Sequence, residues 1–187
     1  MHEIETARLR LRRIRFDDLD DLASICGDPE VMKYLESGKT LSKAELEPHV
    51  RSYVQYWEAH GLGRFALMDK HQGGFIGFCG LRLFRYSGLN LFVDVPEIVF
   101  LLKRSFWGKG LASEAARACL RYGFEQLNSA LIVAMTRSEN LSAQRVLERI
   151  GMTFKTDIEA VGLNCKLYEL PRQDFRQDDF LYVLRDV

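Results

Sequence analysis

The sequence predicts a mixed α/β fold, and three observations carry that prediction. Strand-like runs over 63–68 and 74–86 flank the turn Asp69-Lys70-His71-Gln72-Gly73, the pattern of an antiparallel hairpin. The apolar run over 93–103, the helical spacing over 112–127 and the run over 130–136 then read as strand, helix, strand, a crossover that leaves its two strands parallel. Between that strand and that helix, Trp107-Gly108-Lys109-Gly110 puts two glycines one residue apart. A glycine turn that opens a helix makes an anion site. The backbone approaches the ligand closely, and the first-turn N–H groups and the helix dipole face it. A ligand carrying phosphates is the expected occupant.

Residues 6–14 alternate Leu9 and Leu11 with arginines at the strand period of two. From Asp17 a helix begins, with Leu19, Leu22, Ala23 and Cys26 on one face. Gly27-Asp28-Pro29 ends it, and Pro29 opens a short helix through Leu35. A longer helix covers 42–60. Ser42 with Glu45 forms a capping box and Gly61 supplies the stop, while Pro48 either kinks it or marks its true start. In the strand over 93–103, Pro96 suggests a bulge or an unpaired edge. After the crossover come a helix over 139–150 and strands over 152–159 and 164–171, with Asn128 and Gly151 at helix ends. The tail carries Phe175, Phe180, Leu181, Tyr182, Val183 and Leu184, and is expected to dock as a last strand. With no repeat, low-complexity tract or linker, one domain over 1–187 is expected.

The 187 residues suit one domain with a sizeable core. Basic and acidic residues balance at 26 each, so nothing in the global charge asks for nucleic acid or an anionic membrane. No apolar stretch is long enough to span a bilayer, and the N-terminus lacks a signal-peptide pattern. Arg8, Arg10, Arg12, Arg13 and Arg15 are expected to form a solvated strand face ahead of an acidic first helical turn. Cys26, Cys79, Cys119 and Cys165 form no CxxC pair, and His2, His49, His60 and His71 have no ligand-like spacing. The expectation is therefore no metal, and buried reduced thiols in a cytoplasmic protein.

Specific strings extend the reading. Leu9-Arg10-Leu11-Arg12, Glu97-Ile98-Val99-Phe100-Leu101-Leu102 and Trp107-Gly108-Lys109-Gly110-Leu111-Ala112-Ser113-Glu114-Ala115 resemble the opening strand, the Glu-led central strand and the phosphate loop of the GNAT superfamily of acyl-CoA-dependent N-acetyltransferases. Glu139-Asn140-Leu141-Ser142 with Arg145-Val146-Leu147-Glu148-Arg149-Ile150-Gly151-Met152 resembles its Asn-led helix and the glycine turn that follows. Within the superfamily the chain is most similar to the RimJ/RimL-type branch, and the likeness runs from about residue 6 to about residue 172.

The resemblance implies a mostly antiparallel central sheet with flanking helices, splayed at one parallel strand pair that holds acyl-CoA. It implies acetyl-CoA as co-substrate, without a metal. Backbone groups of Val99, Phe100, Leu101 and Leu102 would pair with the pantetheine arm as an added strand does. The pyrophosphate would sit on Phe106, Trp107, Gly108, Lys109, Gly110, Leu111 and Ala112, with Lys109 adding charge. Asn140 would hydrogen-bond the pantetheine, or cap its helix, or both. Trp107 is as well explained by loop packing as by ligand contact.

Acetyl transfer needs an amine that loses a proton, donors to the thioester oxygen and a proton for the leaving thiolate. The resemblance makes Glu97 the candidate base, through water. The competing reading is that it pairs with a neighbouring arginine or acts as counter-charge to the amine. Backbone N–H groups near Val99 to Leu101 are the expected donors. The acid departs from pattern. Many superfamily members have a tyrosine seven residues after the helix Asn, where Leu147 stands. The branch often has serine three residues after it, where Ala143 stands, with Ser142 one position early. Ser142, Tyr168 and water are the candidates, with Ser142 alternatively bonding only the cofactor. For the acceptor groove, built by the first helices, a loop over 86–96 and the last strands, the candidates are Tyr34, Trp57, Arg82, Phe84, Tyr86 and Asn164. Arg82 and Arg85 are expected mainly to be solvated.

The expected activity is transfer of an acetyl group from acetyl-CoA to a primary amine, on a protein N-terminus such as a ribosomal protein's or on a small molecule, by a monomer or homodimer. A non-catalytic acyl-CoA-binding module is the alternative. An ATP-binding protein is disfavoured, because the chain has neither GxxxxGK[ST] nor an acidic pair for magnesium.

Overall fold

Leu9 and Leu11 are fully buried and the intervening Arg10 is exposed, so the period-two pattern forms strand β2 (Leu9–Arg13) as expected. The computed structural model describes residues 2–35, 38–88, 91–160, 162–177 and 180–186. A strand that the pattern did not announce, β1 (His2–Glu5), precedes β2 and pairs with it antiparallel. The first helical stretch is a single 3-10 turn over Phe16–Asp18 followed by α1 (Leu19–Cys26). The short helix α2 (Pro29–Met32) closes three residues earlier than the expected Leu35. In α3 (Lys43–His60) the Ser42–Glu45 capping box forms, and Gly61 stops the helix in the left-handed conformation at φ 67°. Pro48 sits inside α3 and does not mark its start.

Strands β3 (Arg64–Asp69) and β4 (Phe75–Gly88) form the expected hairpin, and β5 (Leu91–Leu102) continues it antiparallel. The expected loop over 86–96 is therefore strand, apart from residues 89 and 90, which lie outside the described residues. The β4–β5 register runs through Leu83↔Pro96 without a shift, which removes the bulge. Pro96 instead lies on an open edge, where a missing N–H costs nothing. Next come α4 (Leu111–Glu125), β6 (Leu131–Arg137), α5 (Leu141–Arg149), β7 (Thr153–Ala160), β8 (Leu163–Pro171) and β9 (Val183–Asp186).

Among the described residues nine strands make one sheet in the order β7-β8-β6-β5-β4-β3-β2-β1-β9. All its pairings are antiparallel except β5 with β6, which meet in parallel at the single pair Glu97↔Val133. This is the mixed, mostly antiparallel sheet with flanking helices and one splayed parallel pair. The docked tail is β9, which pairs with β1 and so joins the two ends of the chain. Helix α4 packs on β4 and β5, and its buried face holds Leu111, Ala115, Cys119 and Tyr122. Burial of this apolar stripe is worth about 25 cal/mol per Å² removed from water, more than the intrinsic propensity of an isolated helix supplies.

The arginine-rich start is solvated only in part. Arg12 grips Asp18 bidentately (2.6 and 2.9 Å), and Arg13 stacks over Trp57 at 4.6 Å. Asp18 is buried and also accepts from the Arg15 backbone N–H, so it closes the turn into α1. All four cysteines are buried and reduced. No helix among the described residues is long and apolar enough to cross a membrane. Among those residues no three His, Cys, Asp or Glu side chains come together as metal ligands.

Candidate active site

Strand β5 ends at Leu102 and the chain turns once over Arg104–Phe106 before the glycines. Gly108 and Gly110 have φ of 72° and 76°, the left-handed region where a Cβ is disfavoured. This explains locally why glycine stands at both positions. Gly110 is the N-cap of α4 and offers no side-chain cap, so the first-turn N–H groups stay available at the positive end of a 15-residue helix. The indole N–H of Trp107 donates to the Leu102 carbonyl at 2.8 Å while the ring stays half-exposed, so the loop-packing role is filled. The Lys109 ammonium lies 5.0 Å over the Phe106 ring.

A tie unassigned from sequence holds this turn. The Arg8 Nη1 donates to the Lys109 carbonyl at 2.8 Å, and its Nε pairs with Glu114 Oε2 at 2.6 Å. Glu114 Oε1 accepts from the Thr6 hydroxyl at 2.6 Å and from the Arg8 backbone N–H at 2.8 Å. Glu114 thus neutralises an arginine, and the turn before β2 is bolted to the first turn of α4. Its only sequence signal was Glu114 inside the loop string, 106 residues from Arg8.

Beyond Glu97↔Val133, β5 and β6 part, while β6 stays paired along its whole length with β8 on its other edge. The opening is a cavity of about 820 Å³ walled by Ile98, Val99, Phe100 and Leu101 on one side and by Ala134, Met135, Thr136 and Arg137 on the other. Helices α1, α3 and α5 close it with Leu22, Leu46, Tyr53, Asn140, Ala143 and Leu147. The residues Phe106 to Ala112 lie outside its wall, one turn beyond the end of β5.

Glu97 stands where the strands part, 1% exposed. Its Oε2 accepts from Arg82 Nε at 2.6 Å. The arginine-pair reading of Glu97 is thus realised, and the solvated reading of Arg82 is corrected: this side chain lines the cavity and holds the carboxylate. Tyr56 on α3 fixes the strand beside it, its hydroxyl accepting the Leu83 N–H at 2.8 Å.

Asn140 caps α5. Its Oδ1 accepts from the Ala143 N–H at 3.1 Å and from the Ser142 hydroxyl at 2.8 Å, which leaves the Nδ2 donors on the cavity side of the cap. Ser142 is exposed and outside the cavity wall, turned away by the one-position shift. Tyr168 is 2% exposed, packs edge-on against Phe154 at 5.9 Å and also lies outside the wall. Burial pushes its phenol pKa up. Of the acceptor candidates, Tyr34 and Arg82 line the cavity. Trp57 is core, its indole N–H bound to the Arg64 carbonyl at 2.8 Å. Tyr86 is bound to Glu169, and Phe84 and Asn164 lie outside the wall. The sequence reading passed over Arg64, which lines the cavity from β3.

A sheet split at one parallel pair, with a glycine-rich helix start one turn beyond the end of the strand that borders the split, is an architecture found in acetyltransferases. The sequence matches the model of the acetyltransferase (GNAT) domain over residues 8–153, and the chain belongs to that family. It is 31% identical to the protein YkkB of Bacillus subtilis over 168 residues, 89% of this chain and 94% of that one. It is 30% identical to the N-acetyltransferase YnaD of the same organism over 152 residues, 81% of this chain and 82% of that one. Its fold is that of a GNAT acetyltransferase from Bacillus anthracis (TM-score 0.77, 23% identity, 91% and 99% of the two chains). It is also that of RimL, the ribosomal L7/L12 α-N-protein acetyltransferase in complex with coenzyme A (TM-score 0.73, 15% identity, 89% and 95% covered).

Proposed function

We propose that the protein moves an acetyl group from acetyl-CoA to a primary amine, and that residues 1–187 act as one domain in the cytoplasm. The carrying observation is the cavity at the split: an unpaired strand edge along Val99 to Leu101 and a buried carboxylate line it, and an uncapped helix start follows one turn beyond the end of the same strand. The left-handed glycines and free first-turn N–H groups fit a pyrophosphate. The joined chain ends support one domain, and the buried reduced thiols support a reducing compartment.

When bound, acetyl-CoA supplies an acetyl thioester. The Val99–Leu102 edge then pairs with the amide groups of the pantetheine arm, Asn140 Nδ2 donates to the same arm, and Lys109 with the N–H groups of Gly108 to Ala112 holds the phosphates. Backbone N–H groups near Val99 to Leu101 donate to the thioester oxygen. Glu97 Oε1, the oxygen not bound by Arg82, takes the proton of the incoming ammonium through water. The C–N bond forms as the C–S bond breaks. As the amide forms, its nitrogen gives up a second proton, and water relays that proton to the departing thiolate, since Ser142 and Tyr168 both stand outside the wall. The RimL-type neighbours support a peptide N-terminus as acceptor, and the 820 Å³ cavity supports a small amine.

Thermal unfolding with and without acetyl-CoA, with ATP as control, tests the reading. A shift of several degrees with acetyl-CoA alone is expected at 100-fold excess over Kd, and no shift overturns it. The position of Ser142 and Tyr168 outside the wall favours one second reading, a binding module without turnover. Binding without acetylation of any amine would establish that reading.

A further inference from the structure

The charged residues on the cavity wall are three arginines, Arg64, Arg82 and Arg137, and one carboxylate, Glu97. Arg82 is spent on Glu97. Arg64 has no carboxylate within 4.0 Å among the described residues, and Glu97 acts on it only from farther off. Its guanidinium carbon stands over the Tyr53 ring, 3.8 Å from the centroid, and 5.4 Å from the centroid of Phe78. Its Nε is buried without a hydrogen-bond acceptor, a costly state for a donor out of water. Burial presses on the charged form of this side chain. Ring contact takes none of the guanidinium's N–H donors, and the N–H fork of an arginine matches a carboxylate.

The register places the fork relative to the apex. Arg64 pairs with Gly80, and Gly80 with Val99, so these three share one row across the sheet. Arg82 and Glu97 form a row on the same face, two residues along. The rows are about 7 Å apart along the strands and Arg64 stands two strands, about 9.5 Å, across from Glu97, a span that the two long side chains shorten, and Gly80 has no side chain to stand between them. An amine at Glu97 and an acid group at Arg64 can therefore belong to one small molecule.

We propose that Arg64 selects the acceptor by binding its carboxylate, so that the substrates are small amines with an acid group a few bonds from the reacting nitrogen, such as amino acids and short peptides with a free C-terminus. This rests on the acetyl-transfer reading above. Polyamines and plain alkylamines meet an unpartnered cation and are poor acceptors.

The test uses matched pairs: leucine against isoamylamine, phenylalanine against phenethylamine, and a dipeptide against its C-terminal amide. Wild type is expected to favour the acid of each pair by about 10- to 100-fold in kcat/KM, the range of one charge-assisted contact. Arg64→Met should erase the preference through the KM of the acid alone, with the Kd for acetyl-CoA unchanged, and Arg64→Lys should restore part of it. Equal kcat/KM within the pairs in wild type, or equal losses for both members in Arg64→Met, would overturn the proposal. If acetyl-CoA binds and no amine is acetylated, the transfer reading fails on its own. Calorimetric titration of the same acids into the coenzyme A complex then decides. Binding that Arg64→Met abolishes upholds the carboxylate site, and absent or unaltered binding refutes it.

Discussion

The glycine turn at the start of α4 is made of backbone, whereas the Glu97 end of the cavity is made of side chains. At the turn, conformation comes from two glycines two positions apart, and the donors are N–H groups that any sequence would carry. At the apex, Glu97 from β5, Arg82 from β4, Arg64 from β3 and Tyr53 from α3 converge on one face of the sheet. The first kind of site tolerates variation in its side chains and fails when its backbone is bent. The second depends on every partner and on the register that brings them together.

The largest effect should come from the apex. Glu97→Gln keeps the shape and removes the proton acceptor, so turnover should fall by about 10²- to 10⁴-fold with acetyl-CoA affinity intact. Steady-state kinetics beside a binding titration reads both, and full activity in this variant would remove Glu97 from the chemistry. Gly110→Val attacks the other end. A β-branched residue at φ 76° is strained by about 1–2 kcal/mol, and its Cβ would come within 3.5 Å of Arg8 Nη2. The Kd for acetyl-CoA should rise roughly tenfold, and more than stability accounts for. A folded variant with wild-type affinity would mean that the phosphates bind elsewhere.

Arg8→Ala sharpens the contrast, because Arg8 touches only the turn. It frees the Lys109 carbonyl and takes the guanidinium from Glu114, which keeps the Thr6 hydroxyl and the backbone N–H of residue 8. With Arg8 at 40% side-chain exposure, solvent screening limits the loss to about 1 kcal/mol. The affinity for acetyl-CoA should drop about fivefold, while kcat at saturation stays. A matching Glu114→Gln variant in a double-mutant cycle would show coupling if the two act as one bolt.

The smallest effect lies outside both ends. The Tyr86 phenol donates to Glu169, and that bond first, then burial, pushes its pKa up to about 12. The ordinary phenol value is about 10. A pKa raised in the folded state means stability that is fully present below about pH 10 and lost as the pH rises through about 12. Chemical denaturation across that window should show a decline in wild type that is absent in Tyr86→Phe, and identical profiles would rule out the linkage.

Local pattern made much of this molecule legible. Ser42 with Glu45 and Gly61 marked both ends of α3, and Asn140 marked the start of α5, because caps are contacts within a few residues. The turn from Leu102 to Leu111 was readable for the same reason. β1 was not, since its four residues have meaning only between β2 and β9, at opposite ends of the chain. Pro96 was half-read: the open edge was right, and the bulge was excluded only by the unbroken β4 register. Ser142 and Tyr168 were plausible acids by position, and their side chains turned out to point to a cap and a core.

By itself the sequence determined the elements, the glycine turn, the carboxylate at position 97 and the family likeness, all carried by spacing within short windows. Tertiary structure alone decided that β6 leaves β5 after one pair, that Arg82 holds Glu97, that Arg8 bolts the turn and that Arg64 stands unpartnered in the cavity. Strand order and register, which place residues 15 to 106 positions apart within 3 Å, arise from burying one continuous core, and no local spacing encodes them.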